Sequence, residues 1–206
     1  MLKIWGRANS INVQKVLCCC DELGLPYDRI DAGLQFGHVN TPEYQALNPN
    51  GLVPTLIDGD VVLWESHVIM RYLVRVYDSN HLITPKDEAG FAQADKWLDW
   101  VHTTAWPPMR AVFWGLVRTP PEKRNHDEIN AGIEGCAKAY AVIDRLLANQ
   151  AYLGGEHFTF GDIPMALIAH RWFVLPIENR PALPHLQHWY EGIVARPGFG
   201  RHGAVS

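Results

Sequence analysis

The stretch NPNGLVPTLIDGDVVLWES, residues 48–66, decides the fold of this 206-residue chain. Two short apolar runs flank Asp58-Gly59-Asp60, and Asp-Gly between such runs predicts a β-hairpin because both central turn positions then tolerate positive φ. Apolar residues at helical spacing follow the second run, so a helix is predicted directly after the hairpin. The apolar face predicted for that helix consists of Val68, Ile69, Tyr72, Leu73 and Val76.

The residues before this stretch predict a βαβ unit. A short apolar-rich strand is expected at residues 3–6, and the helix that follows it is expected to stop at Gly24. Residues 26–31 predict a second strand, which runs parallel to the first. Residues 33–50 are polar and contain glycine, which indicates a loop with at most a short helix. The N-terminal order is therefore β-α-β-α-β-β-α, a small mixed sheet with helices.

The second half of the chain predicts an all-helical domain. Residues 78–88 lack an apolar period and are assigned to a linker. Helical spacing then recurs in four segments, namely residues 91–117, 127–147, 162–174 and 184–196. The expected fold is thus α/β plus all-α, with a first domain at residues 1–80 and a second domain at residues 88–206.

Composition narrows the classes of function. Eighteen Lys and Arg against 22 Asp and Glu give a net charge of −4, so the chain lacks the excess of basic residues that is typical of nucleic-acid-binding proteins. No apolar run reaches about 18 residues and the N-terminus lacks the apolar segment of a signal peptide, so neither a membrane span nor export is expected. Cys18, Cys19, Cys20 and Cys136 form no C-x-x-C pair, which favours buried thiols in a reducing cytoplasm. The histidines show no ligand set, so no metal is expected.

Two features of the opening stretch point to a peptide-like ligand. Pro54 opens a strand although proline cannot donate to the ladder, and a cis bond after Val53 would leave the N–H and C=O of Val53 free to pair with an extended peptide. Ser66 is expected at the N-cap of the following helix, where free N–H groups attract a carboxylate, and Glu65 would attract an ammonium. These two attractions suit an amino-acid head group. Taken alone, the pair also fits a plain capping serine after an exposed glutamate.

Taken together, these motifs resemble the glutathione transferase superfamily along essentially the whole chain. The stretch from Asn48 to Leu56, the Asp-Gly hairpin and Glu65-Ser66 look like its thioredoxin-like, glutathione-binding half. Thr159-Phe160-Gly161-Asp162 resembles a capping box of its helical half, with Thr159 as N-cap and Asp162 at the third helical position, and its role is in folding. The resemblance implies a homodimeric transferase of detoxification that uses glutathione as co-substrate.

The resemblance also assigns glutathione contacts to particular residues. It implies a cis bond before Pro54 and a backbone pairing between Val53 and the cysteinyl residue of glutathione. Glu65 and Ser66 would then hold the γ-glutamyl end. The glycyl carboxylate would lie near two further side chains, those of His38 and Asn50.

The protein must stabilise the thiolate form of glutathione, because the thiolate is the form that reacts. A cysteine-type thiol titrates at about 8.5, and lowering that pKa by about two units requires roughly 2.7 kcal/mol of preference for the thiolate. A hydroxyl or amide donor at the N-terminus of the first helix would supply it. Several classes of the superfamily carry an early Ser, Cys or Tyr that this chain lacks. The candidates here are Ser10, which also fits the helix N-cap, Asn12, Arg7 and Asn9.

A row of aromatic and basic residues recurs every four positions on the first helix predicted for the second domain: Trp106, Arg110, Trp114 and Arg118. One interpretation is a pocket for the electrophile, in which rings supply apolar surface and a guanidinium pairs with a carboxylate. That interpretation favours small anionic or halogenated acids. The other interpretation is two buried tryptophans covered by arginine stems.

The function indicated by these residues is attack of a glutathione thiolate on a small electrophile. Two alternatives stay open. One is another glutathione-dependent enzyme, such as an isomerase, a dehalogenase or a disulfide reductase, although a reductase would need a reactive cysteine at the first helix. The other is a non-catalytic binding module with the same fold, which the missing early Ser, Cys or Tyr favours.

Overall fold

The computed structural model describes residues 1–203 of the chain, and these residues form two compact units. Met1–Thr84 and the C-terminal segment that begins at Arg196 make up the first unit, and Pro85–Ala195 makes up the second. The predicted domain ranges, 1–80 and 88–206, placed that C-terminal segment in the helical domain instead. The last residues of the second range, 204–206, lie outside the described part of the chain.

The first unit is built on a four-stranded mixed sheet with the order β2-β1-β3-β4. Its strands are β1 (Leu2–Trp5), β2 (Tyr27–Ile30), β3 (Thr55–Asp58) and β4 (Val61–Trp64). Strands β1 and β2 run parallel, whereas β3 runs antiparallel to both of its neighbours. Ile4 and Leu56 face each other across β1 and β3 and are fully buried. The predicted parallel pair and the Asp-Gly hairpin are confirmed.

Three helices alternate with these strands in the predicted order. They are α1 (Ile11–Glu22), α2 (Pro42–Leu47) and α3 (Ser66–Tyr77). Helix α1 packs against α3, so the start of the chain is held against the helix that follows the hairpin. The order β-α-β-α-β-β-α is therefore confirmed.

Helix α3 buries only part of the apolar face predicted for it. Ile69 and Leu73 are fully buried, whereas Val68 and Val76 are 43% and 52% exposed. Successive residues lie about 100° apart around a helix, so the apolar arc of α3 is wider than the surface that covers it. Val68 and Val76 belong to the predicted apolar face but lie on its exposed part.

Helices are the regular elements of the second unit, as predicted. They are α4 (Glu88–Trp100), α5 (Trp106–Phe113), α6 (His126–Leu147), α7 (Asp162–Val174) and α8 (Pro184–Val194). A last helix, α9 (Pro197–His202), belongs to the first unit, where it packs against α1. Among the described helices, none combines the length and the hydropathy that crossing a bilayer requires.

The segment that shows helical spacing at residues 91–117 is interrupted twice. Turns of π-helix at Val101–Ala105 and Trp114–Arg118 flank α5. Pro107 and Pro108 lie in the first turn of α5, where their missing N–H groups leave carbonyls of the preceding turn without a donor. The helix therefore restarts at α5, and the wider π turn before it accommodates the break.

A buried carboxylate organises the start of α7. Asp162 accepts hydrogen bonds from the Leu153 N–H at 2.9 Å and the Trp189 indole N–H at 3.1 Å, and from the Thr159 N–H at 2.9 Å and hydroxyl at 3.1 Å. Burial raises the pKa of Asp162 to about 6, although these donors favour the carboxylate. Gly161 holds the N-cap position and α7 begins at Asp162, so the predicted N-cap at Thr159 is corrected, whereas the half of the predicted capping box in which the Asp162 carboxylate accepts from the Thr159 N–H is present. The Thr159 hydroxyl bonds the carboxylate, so it does not cap the helix backbone.

All four cysteines are free thiols inside the protein, as predicted. Three of them lie in α1 and the fourth lies in α6. Burial raises the pKa of the Cys20 and Cys136 thiols to about 12, so both are protonated at neutral pH. These thiols are therefore unsuited to act as nucleophiles.

Candidate functional site

A small cavity opens on the first unit where the start of α1, the loop before β3 and the start of α3 meet. Its volume is about 50 Å³, which is room for one functional group of a ligand. The lining residues are Asn12, Asn48, Asn50, Leu52, Val53, Pro54, Glu65 and Ser66. Every predicted glutathione-binding residue except His38 lines this cavity, and so does one predicted thiolate donor, Asn12.

The loop before β3 presents a backbone edge at Val53. The bond between Val53 and Pro54 is cis, as the resemblance implied. Within residues 1–203, no backbone hydrogen bond uses the N–H or the C=O of Val53. Side chains hold the loop in place, since Asn48 Nδ2 donates to the Leu52 carbonyl at 2.9 Å and the Tyr44 hydroxyl donates to it at 2.7 Å. Val53 therefore offers one donor and one acceptor to an extended peptide.

Helix α3 begins at the cavity, one residue earlier than predicted. Ser66 is its first residue and Glu65 is its N-cap, so the prediction of Ser66 as N-cap is wrong. The reason lies in the backbone of Glu65, whose φ of 71° turns the chain into the helix directly after β4. Such a conformation costs about 1 to 3 kcal/mol outside glycine and is concentrated at functional sites. The unpaired N–H groups of the first turn still attract a carboxylate, and the exposed Glu65 attracts an ammonium.

The candidate thiolate donors lie at or just before the start of α1. Asn12 is half-buried and lines the cavity, and Lys15 Nζ donates to its Oδ1 at 3.2 Å. Ser10 is the N-cap of α1 and is 7% exposed, but its side chain makes no capping hydrogen bond. The guanidinium of Arg7 lies against Gly33, where an added Cβ would be 3.1 Å away. Ser10 and Arg7 are outside the lining, and all three roles stay predictions.

The two side chains predicted near a glycyl carboxylate differ in their surroundings. Asn50 lines the cavity, and its backbone N–H and its amide nitrogen both lie 3.1 Å from Asn48 Oδ1, which accepts from them. His38 is exposed and has a φ of 67°, and its ring lies edge-on to Trp5 with 6.1 Å between the ring centroids. The structure therefore brings Asn50, but not His38, into the cavity wall.

Sequence reasoning missed two buried polar residues beside the cavity. Lys15 in α1 is 2% exposed and His67 in α3 is 8% exposed, and Lys15 Nζ lies 3.0 Å from His67 Nε2. Both occupy positions on the inner faces of their helices, where an apolar residue is the rule. A polar residue at such a position is the signal that could have found them.

The predicted electrophile row lies on the second unit, along α5 and the π turn after it. Trp114 is 53% exposed, Arg110 and Arg118 are exposed, and Trp106 is half-buried. The interpretation of two buried tryptophans is therefore wrong for Trp114. The Arg118 guanidinium lies 5.6 Å from the centroid of the Phe113 ring, within range of a cation–π contact. The role of the row in binding stays a prediction.

A further arginine, which sequence reasoning missed, lies behind this row. Arg171 of α7 is 8% exposed, and its guanidinium lies 3.7 Å from the Phe113 ring centroid and 5.5 Å from that of Trp106. Stacking on rings is a frequent use of arginine because the planar guanidinium is weakly hydrated. The aromatic part of the row therefore lies beside a buried positive charge.

The cavity of the first unit has the groups that an extended peptide with an amino-acid head group requires. Its backbone edge, its helix N-terminus and its carboxylate are three distinct kinds of contact. Among residues 1–203, no three His, Cys, Asp or Glu side chains come together in a way that could hold a metal ion.

Two family models match the chain, one on each half. The glutathione S-transferase N-terminal domain matches residues 9–76, and the glutathione S-transferase C-terminal domain matches residues 98–197. The chain therefore belongs to the glutathione S-transferase family. The predicted family and the predicted fold class are both confirmed.

Individual relatives agree over nearly the full length. The chain is 41% identical over 199 residues to glutathione S-transferase GstB of Escherichia coli K12, which covers 96% of this chain and 95% of that protein. It is 33% identical to glutathione S-transferase 3 of Zea mays, with 96% and 91% covered. The glutathione-bound crystal structure of the theta class glutathione S-transferase from Xanthomonas axonopodis pv. citri superposes with a TM-score of 0.94 at 45% identity, covering 100% and 98%. The predicted enzyme class, a glutathione transferase, is confirmed.

Proposed function

We propose that the cavity of the first unit binds glutathione and activates its thiol for attack on a small electrophile. The cysteinyl residue pairs with the backbone of Val53, and the γ-glutamyl end lies at Glu65 and the first turn of α3. Asn50 and His38 receive the glycyl carboxylate. One observation carries this proposal. The unused backbone N–H and C=O of Val53, the N-terminus of α3 and the Glu65 carboxylate all lie in the wall of one cavity.

In this proposal the protein acts mainly by stabilising the thiolate. Asn12 and Ser10 donate hydrogen bonds to the sulfur, and Arg7 and the N-terminus of α1 add positive potential. The thiol proton passes to solvent, the sulfur forms a bond to the electrophilic carbon, and the leaving group departs with its electron pair. Much of the rate gain comes from the lowered pKa of the thiol and from holding the two reactants together.

Calorimetry and a conjugation assay on the wild-type protein test the proposal together. Reduced glutathione should bind at millimolar concentration or below, and at least one member of a panel of haloacids and aryl halides should be conjugated. Absence of glutathione uptake at millimolar levels would overturn the assignment. Binding without conjugation of any electrophile would favour a non-catalytic binding module instead.

We propose that the second substrate is a small halogenated or anionic acid held by Arg110 and the rings of Trp106 and Trp114. Arg118 supplies a second guanidinium. The exposure of Trp114 and of both arginines supports a role in binding, since a carboxylate can reach them without unfolding the core.

Arg110→Ala should lower kcat/KM for a haloacid about tenfold or more while changing that for a neutral aryl halide little, because an arginine–carboxylate pair contributes about 1.5 to 3 kcal/mol. Steady-state kinetics with both substrates measure this. Arg145→Ala, at an exposed position of α6 outside the row, is the matched control and should change neither. Equal proportional losses for the two substrates in Arg110→Ala would count against a carboxylate contact.

We propose that the protein is a homodimer that associates through exposed apolar residues of β4 and α3. These residues are Val61, Val62, Trp64, Val68, Val76 and Tyr77, each at least 37% exposed. A cluster of exposed apolar side chains typically marks an interaction surface, and the same patch on two copies suits a two-fold interface.

Val76→Lys should convert the dimer to a monomer, because burying an unpaired ammonium on each side of an interface is strongly unfavourable. Sedimentation velocity measures the mass. Val174→Lys is the control, since Val174 of the second unit is 55% exposed and lies outside this patch. A wild-type monomer, or a Val76→Lys protein that is still a dimer, would contradict the proposed interface.

We further propose a cytoplasmic location and a role in detoxification. Four free, buried thiols are compatible with a reducing compartment. An exposed aromatic and basic row suits a range of small electrophiles, which is what detoxification requires.

A further inference from the structure

A buried lysine links the two helices whose first turns line the cavity. Lys15 of α1 is 2% exposed, and its Nζ lies 3.2 Å from Asn12 Oδ1 and 3.0 Å from Nε2 of His67 in α3. Burying an ammonium is unfavourable unless hydrogen bonds compensate for the lost water. The burial of Lys15 between Asn12 and His67 therefore indicates that this lysine has a specific role in the cavity region.

The types of atom around Lys15 fix the orientation of the Asn12 amide. An ammonium has three donors and no acceptor, so the atom of Asn12 that faces Lys15 must be the carbonyl oxygen Oδ1. The amide is planar, and its nitrogen is therefore the polar atom left on the other branch of the side chain. That nitrogen carries two donors and no acceptor, which is the type of group that a thiolate needs.

The second contact of Lys15 is with His67. Lys15 Nζ lies 3.0 Å from its Nε2, and an ammonium at Lys15 is compatible with the imidazole tautomer that leaves Nε2 unprotonated. His67 follows Ser66 in the first turn of α3, the turn that lines the cavity. Titratable groups in the cavity region include Lys15 on the same helix as Asn12, His67 on α3 and Glu65 at the N-cap of α3.

We infer that Lys15 is a positioning residue: it holds the Asn12 amide so that the nitrogen donates to the glutathione sulfur, and it braces that amide against α3 through His67. This inference rests on the proposed function of the cavity. Without Lys15 the amide can rotate by half a turn and present its oxygen, and an oxygen facing the sulfur would disfavour the thiolate. Glu65 and Ser66, which are proposed to hold the γ-glutamyl end, line the cavity themselves, so Lys15 should affect thiol activation more than binding.

A double-mutant cycle on the full-length protein tests the inference. Lys15→Met keeps the length of the side chain and removes the donors, and it should raise the pKa of the bound thiol by about one pH unit and lower kcat about tenfold at neutral pH. KM for glutathione should change less than threefold. Lys15→Arg, which can still donate, should restore most of the loss. In an Asn12→Ala background, Lys15→Met should produce no further rise in the thiol pKa, which ultraviolet thiolate absorbance measures.

An equal rise of the thiol pKa in both backgrounds would overturn the inference, because Lys15 would then act without Asn12. Asn12→Asp provides a check that leaves Lys15 in place, should Lys15→Met fail to fold by circular dichroism. Aspartate keeps an oxygen for Lys15 and puts a second oxygen where the nitrogen was, so the thiol pKa should rise further than in Asn12→Ala. A rise no larger than that of Asn12→Ala would also overturn it.

The proposed function can fail separately from this inference. Wild-type protein that takes up no glutathione would reject both. Wild-type protein that binds glutathione with a lowered thiol pKa, but in which the two substitutions are additive, would reject only the role of Lys15.

Discussion

Replacing Asp162 with alanine should lower the free energy of unfolding by about 4 kcal/mol at neutral pH. The substitution leaves four buried donors without their acceptor, namely the N–H groups of Leu153 and Thr159, the Thr159 hydroxyl and the indole N–H of Trp189. Each unsatisfied buried donor costs about 1 to 3 kcal/mol. Relief of the buried charge offsets part of this loss, since burial already raises the pKa of Asp162. The net effect is among the largest for a single substitution.

Urea unfolding followed by circular dichroism measures this change. Asp127→Ala is the matched control, because Asp127 also lies in the first turn of a helix, α6, but is exposed. Its loss should stay below about 1 kcal/mol, the usual size of an interaction with a helix N-terminus. An Asp162→Ala protein as stable as the control would show that the hydrogen bonds around α7 contribute little.

Local patterns explain how much of the fold could be predicted from the sequence. The hairpin at Asp58-Gly59-Asp60 and the helix after it are encoded by turn chemistry and by residue spacing, both of which act over a few positions. Which residues of that apolar face are buried depends on what covers the helix, and the sequence does not specify this. Val68 and Val76 fit the helical period as well as Ile69 does, and only the packing of α3 distinguishes them.

The candidate site likewise contains some residues that local sequence patterns predict and others that they do not. Val53-Pro54 and Glu65-Ser66 carry local signals, namely a proline that opens a strand and a polar pair between a strand and a helix, and both could be read from the chain. The contact of Lys15 with His67 joins residues 52 positions apart, so no local sequence pattern predicts it. The choice among the candidate thiolate donors depends on the fold for a related reason. Spacing places Ser10 and Asn12 equally near a helix start, and only the fold shows which side chain lines the cavity.

Removing the Asn12 amide should have the largest effect on the chemistry. Asn12→Ala should raise the pKa of the bound thiol by about 1.5 pH units and lower kcat about 30-fold below that pKa, because a hydrogen bond to a charged group contributes about 1.5 to 3 kcal/mol. Ser10→Ala should have a smaller effect, since Asn12 lines the cavity and Ser10 does not. The affinity for glutathione should change little in either variant, because Val53 and Glu65 are untouched.

Ultraviolet titration of the bound thiol and the pH dependence of kcat measure the two effects independently. Both should shift together in Asn12→Ala, and the rates of variant and wild type should converge at high pH, where the thiol ionises without help. Asn80→Ala, at an exposed position of the first unit outside the cavity wall, is the control and should leave the thiol pKa unchanged. A larger shift in Ser10→Ala would transfer the main role to its hydroxyl. No shift in either variant would leave Arg7 and the N-terminus of α1 as the source of thiolate stabilisation, since neither substitution alters them.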